Sequence, residues 1–180
     1  MLRIINDDFT LRGEIRQLKN IKFVHKWYEV STCTFQVHES VRYVSSLEDD
    51  TTIMFFNDSA LTFIITDRKY IASTGFWEFT ALSAGALLLR RITVPPAGQD
   101  TDKYTTMPVE TIMKSIVSKN AIAATDLNRN IPNLVTAADT GRGSSVTFET
   151  RYKNLGEELA SLSRSTGVGW SIILDLSLIH

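Results

Sequence analysis

Cysteine is nearly absent. Cys33 stands alone among 180 residues, which excludes an intramolecular disulfide framework and a multi-cysteine zinc site. Histidine is scarce, with 3 residues, so a histidine-rich metal centre has little to draw on. A surplus of one charge is missing too. Lys and Arg number 19 against 20 Asp and Glu, a net charge of -1, which argues against a nucleic-acid binder that works by phosphate neutralisation. There is no long hydrophobic run either. Ser83 to Leu89 holds about seven small or apolar residues before Arg90 and Arg91, far below the roughly 20 a membrane span needs. The opening stretch, Met1 to Asp8, turns acidic before a signal core forms. The expectation is a soluble chain made in a cytoplasm and not exported by a cleaved signal. Hydrophobic residues are plentiful at 43%, against 22% charged, enough apolar material to offset chain entropy and build a core.

The first half reads as strands. Ile21 to Tyr28 alternates imperfectly and is rich in aromatics, as a half-buried strand should be. Thr32 to Val37 continues in the same style. Thr51 to Phe56 and Leu61 to Thr66 are β-branched and apolar, separated by Asn57-Asp58-Ser59, the signature of a hairpin. Lys69 to Ser73 and Phe76 to Leu82 add two more strands around Gly75. Asn6 to Ile15 reads as strand, turn and strand. Short strands at close spacing predict an antiparallel barrel or sandwich.

Pro95-Pro96, followed by a polar stretch, breaks the composition. The expected division is a β-barrel-like domain over 1–95 and a small α/β domain over 96–180, an α+β chain. In the second part Val109, Ile112, Met113, Ile116 and Val117 fall on one helical face, with Pro108 at its start and Asn120 as a stop. Val146, Phe148 and Thr150 alternate as a strand. Asn154 with Glu157 forms a capping-box-like pair for a second amphipathic helix carrying Leu155, Leu159 and Leu162. Gly167 is placed to end that helix. Val168 to Leu178 reads as a final strand.

Motifs for catalysis are few. Asp139-Thr140-Gly141 matches the aspartic-protease triplet, whose chemistry needs two carboxylates sharing a proton, so a homodimer would be required. The residues before it, Thr136-Ala137-Ala138, are not the apolar strand that site needs, and a glycine-permitted turn is the plainer reading. Gly141 and Gly143 lack the lysine and following helix of a phosphate loop. His25 and His38 with Glu39 fall short of a supported metal site, and Cys33 has no nucleophile turn around it. Trp27, Trp77 and Trp170 lie in or beside predicted strands and read as core. A binding module that uses them on a cell surface is the alternative. Arg90, Arg91, Arg142 and Arg151, with the loop glycines Gly141 and Gly143, are the candidate partner-interface residues, because arginine is enriched at interfaces. No cofactor or metal is expected, and no enzyme.

The order of segments carries more than any one motif. Asn6 to Ile15, Lys26-Trp27-Tyr28-Glu29, Thr34 to Val37, Ala84 to Ile92, Pro95 to Gly98, Ile131 to Leu134, Asp139 to Gly143, Thr150 to Leu159 and Gly167-Val168-Gly169-Trp170 follow one another along nearly the whole chain. This succession resembles the tail-tip or baseplate hub subunits of long-tailed siphophages and prophages, and corresponds to the first half of their length. The resemblance implies a barrel-like β domain joined to a small α/β domain. It implies a ring, commonly a homotrimer, at the virion tail tip, assembled in the host cytoplasm. That ring joins the tail tube and distal tail proteins to the tip that contacts the host. It implies no sequence-specific nucleic-acid binding and no membrane insertion.

Overall fold

The computed structural model describes residues 1–6, 9–48, 53–56, 58 and 60–175. The chain is α+β and forms two compact units. The first comprises residues 1–26, 30–84 and 171–180; the second comprises residues 27–29 and 85–170.

The first unit is an antiparallel sheet of seven strands: β1 (Leu2–Ile5), β2 (Leu11–Ile15), β3 (Lys19–Val24), β4 (Thr32–His38), β5 (Ile53–Phe55), β6 (Thr62–Ile71) and β7 (Phe76–Ser83). Their order across the sheet is β2-β1-β5-β6-β7-β4-β3. The two edges, β2 and β3, are therefore consecutive in the chain, joined only by Arg16-Gln17-Leu18. That connection reaches at most about 14 Å, whereas six strand spacings in a flat sheet amount to roughly 29 Å. The sheet has to curl, and it does so into a half-barrel. Alternation fills its inside: Cys33, Phe35 and Val37 of β4 are buried and face Ala81, Phe79 and Trp77 of β7. The Phe35 and Phe79 rings stack at 5.1 Å. Leu2, Ile4, Ile15, Met54, Phe63 and Ile65 complete this core.

The sequence reading and the structure differ at several elements. The stretch from Leu61 to Ser73 is not two strands; β6 runs through it with a bulge between Ile65 and Asp67. The extra residue shifts the phase of burial, which is why the alternation breaks there. The strand expected over Ile21–Tyr28 ends at Val24, and His25, Trp27 and Tyr28 are exposed. Trp27 is 70% exposed, so the expectation of a core tryptophan is corrected there. The final strand expected from Val168 is absent over residues 168–175, and its end lies outside the described residues. Leu174 is buried instead against Ile5 and Phe55. β1 and β5 each already have a neighbour on both sides, so this segment covers a sheet face without joining a ladder. Thr51, Thr52, Asn57 and Ser59 of the predicted hairpin also lie outside the described residues.

The second unit holds a two-stranded sheet, β8 (Asp102–Pro108) with β9 (Ser145–Thr150), and two helices, α1 (Val109–Val117) and α2 (Leu155–Thr166), which pack on each other. The predicted stripe of α1 is fully buried, from Val109 to Val117. α1 does not stop at Asn120 but widens into a π-turn over Ser118–Ile122. Asn120 is itself buried there, accepting from the Val94 amide at 2.8 Å and donating to the Ile116 carbonyl at 2.8 Å. α2 begins where Asn154 accepts from the Glu157 amide and ends at Gly167 in the left-handed region, as its sequence signals predict. β8 has no counterpart in the sequence reading. Its inward residues are Asp102 and Tyr104, both polar, and it carries a bulge before Met107 with Thr106 at φ 50°.

Candidate functional site

The densest polar arrangement of the second unit is built on Glu110. This residue sits in the first turn of α1, where a carboxylate suits the positive helix end. It is only 5% exposed. Its two oxygens accept five hydrogen bonds. Oε1 takes Lys114 Nζ at 2.6 Å and Arg142 Nη2 at 3.1 Å. Oε2 takes the Arg142 amide at 2.8 Å, Arg142 Nε at 3.1 Å and the Thr140 hydroxyl at 2.9 Å. The Arg142 side chain above all, then Lys114, hold the Glu110 carboxyl far below the ordinary carboxylate range. The backbone adds Glu110 N–H to the Arg142 carbonyl and Val109 N–H to the Ser144 carbonyl, both at 3.2 Å. The exposed loop 133–144 is thereby fastened to the start of α1.

Gly143, at φ 84°, makes this seating possible, because a Cβ there would come within 2.4 Å of the Val109 side chain. Asp139 shapes the same loop. Its Oδ1 accepts the Gly141 amide at 3.0 Å, an Asx-turn. Hydrogen bonds from Thr111 and then Gly141 lower its pKa.

Of the candidate interface residues, Gly141, Arg142 and Gly143 share this loop. The others lie on a different seam. Arg90 ends a short 3-10 helix over Ala84–Arg90, and Arg91 follows it directly. Arg91 donates from Nε to the Arg129 carbonyl, and its own carbonyl accepts the Leu155 amide at 2.9 Å. The next residue, Ile92, forms a bridge with Asn154. Arg151 follows β9 directly, with its guanidinium over the Tyr152 ring at 5.3 Å. Arg90 and Arg151 are exposed and Arg91 is partly buried.

A second polar cluster escaped the sequence reading. Tyr104 donates to Asp102 Oδ2 at 2.7 Å, and Lys119 donates to Asp102 Oδ1 at 2.9 Å and to the Tyr104 hydroxyl at 3.0 Å. Ser115 lies 3.2 Å from that hydroxyl. Burial raises the Tyr104 pKa. The groups satisfy one another and tie β8 to α1 and its π-turn. Neither cluster had a local signal: Glu110 with Lys114 reads as a solvated i,i+4 pair, and only the folded loop buries it.

In the first unit, β2 and β3 each have one edge without a ladder partner among the described residues. His38 bonds Ser40 at 2.8 Å, and Glu39 accepts from Tyr70 at 2.6 Å. Among the described residues no three His, Cys, Asp or Glu side chains converge to hold a metal, and no helix is long and apolar enough to cross a membrane.

With this geometry in place, the comparison with known families is decisive. Residues 1–178 match the family described as Siphovirus ReqiPepy6 Gp37-like protein. The chain belongs to that family. Membership supports a siphophage tail-associated protein. No curated protein matches this Gp37-like chain. The α+β layout of the Gp37-like chain is the one expected from its sequence.

Proposed function

We propose that this Gp37-like protein is a structural subunit of the siphophage tail-tip or baseplate hub. In this reading it joins the tail tube and distal tail proteins to the host-contacting tip as a homotrimeric ring, with no catalytic role, cofactor or sequence-specific nucleic acid. The observation that carries it is the family match over residues 1–178. The half-barrel supports it with two strand edges that have no ladder partner among the described residues, and heterologous contacts close into a ring when the rotation fits. Light scattering behind a sizing column tests the ring: the expected mass is that of a trimer of 20.2 kDa chains. Gold-labelled antibody on purified tails tests the place: label at the tip is expected, and tails without the protein overturn the reading.

The exposure of Trp27, at 70%, favours a second reading, a module that binds cell-surface sugar. Trp27→Ala would then abolish retention on host cell-wall polysaccharide and leave the oligomeric mass unchanged.

A further inference from the structure

The first unit contains a cleft of about 580 Å³. Its lining includes six residues from 11 to 17, and the turn of Val41, Arg42 and Tyr43. Neighbouring residues of a strand point to opposite faces, so a cleft lined by consecutive residues runs along the strand's edge. That edge is the free side of β2. No backbone hydrogen bond outside the ladders involves residues 11–15 among the described residues, so the N–H and C=O groups directed away from β1 have no ladder partner.

The cleft is also charged. Arg12, Arg16 and Arg42 line it against the single carboxylate of Glu14, in a chain whose net charge is -1. Glu14 is already engaged, by Arg3 at 3.0 Å and Arg16 at 3.3 Å. Arg12 and Arg42 have no carboxylate partner among the described residues. Both are held in place. Arg12 is the extra residue of a β-bulge, since Ile4 faces Gly13 while Ile5 faces Leu11, and bulges re-aim side chains. The Arg42 guanidinium lies 4.6 Å from the Tyr43 ring centre, a cation–π contact. Tyr43 itself adopts φ 69°, a conformation costly for a bulky residue. That conformation lays its ring over Gly13, where a Cβ would come within 2.7 Å.

We propose that this cleft is a strand-addition site for an extended acidic segment of a partner protein. The guest backbone pairs with the free edge of β2, and its carboxylates meet Arg12 and Arg42. Such pairing takes affinity from main-chain hydrogen bonds and specificity from side-chain contacts; here the specificity is for negative charge. The edge of β3 offers no equivalent: it carries Lys19 and Lys22 and a bulge with Asn20 at φ 52°, features that discourage pairing, and it lines no part of this cleft. Ring assembly is not required for the site, so a monomeric chain could still bind.

The test is a nuclear magnetic resonance titration of the full 15N-labelled chain. The probe is a peptide of about ten residues alternating valine and glutamate. The expected result is saturable shifts and slowed hydrogen exchange at the amides of Gly13 to Arg16. A lysine counterpart and a backbone N-methylated counterpart should each bind at least about tenfold more weakly. Arg12→Glu with Arg42→Glu, both exposed, should reduce affinity similarly while leaving the spectrum of the core unchanged. No saturable shift overturns the proposal, as does equal binding of the lysine peptide. Undiminished binding of the N-methylated peptide or of the double variant overturns it too, as does displacement by polyphosphate with shifts confined to arginine side chains.

Discussion

Individual residues here are set by what the fold puts around them. Cys33 is fully buried in β4, and burial pushes its thiol up to about 12. The thiolate is the reactive form, so an Ellman-type reagent near pH 8 should leave Cys33 unmodified in the folded chain and label it only as denaturant unfolds the sheet. Glu110 behaves in the opposite sense. A carboxyl held below its ordinary value of 4.5 contributes stability above that pH and loses it as the pH falls below. Glu110→Gln keeps the shape and removes the charge that strengthens its hydrogen bonds. Trypsin should therefore cut after Arg142 on the order of tenfold faster in the variant at neutral pH, through local opening of the loop. Wild-type loop amides should lose hydrogen-exchange protection below about pH 4, and those of the variant should show no such acid step. An equal cleavage rate would mean that the backbone bonds of Glu110 and Arg142 hold the loop by themselves.

At the scale of elements, Asn154 does two jobs. Its Oδ1 caps α2 through the Glu157 amide at 3.2 Å, and its Nδ2 donates to the Leu89 carbonyl at 2.7 Å. Asn154→Ala should destabilise the second unit by about 1–2 kcal/mol, the upper part of the range for losing a cap, read as a lower urea midpoint by circular dichroism. The elements found by sequence had a periodic face or a cap: the stripe of α1, the alternation of β4 and β9, and the pair Asn154 and Gly167 around α2. Others were missed or misdrawn for particular reasons. β8 turns polar residues inward, because Asp102 is neutralised by Lys119 from beyond α1. β6 hides its continuity behind a bulge. Residues 168–175 have the composition of a strand, but Leu174 packs on Ile5 and Phe55, in strands that already have a neighbour on each side.

At the scale of the whole molecule, the half-barrel depends on aromatic packing. Phe35 is stacked on Phe79 and meets Phe56 edge-on. Phe35→Ala should cost the first unit about 3–5 kcal/mol, measured by urea unfolding followed through Trp77 of the adjacent strand. A loss below 1 kcal/mol would mean that the interior collapses onto the gap.

The sequence by itself determined the α+β class, the buried stripe of α1, the helix α2 with its caps, and most of the strands. These are local properties: periodicity, capping and turn chemistry act over a few residues and survive in any window of the chain. Tertiary structure alone decided the rest. It brought β2 and β3, neighbours in the chain, to opposite edges of one curled sheet. It set Glu110 against Arg142 across 32 positions of sequence and turned Asp139 into a loop brace. It lifted Trp27 into solvent and brought Arg12 and Arg42 to one cleft beside β2. Burial and strand neighbours depend on contacts between residues far apart in the chain, and no local pattern encodes them.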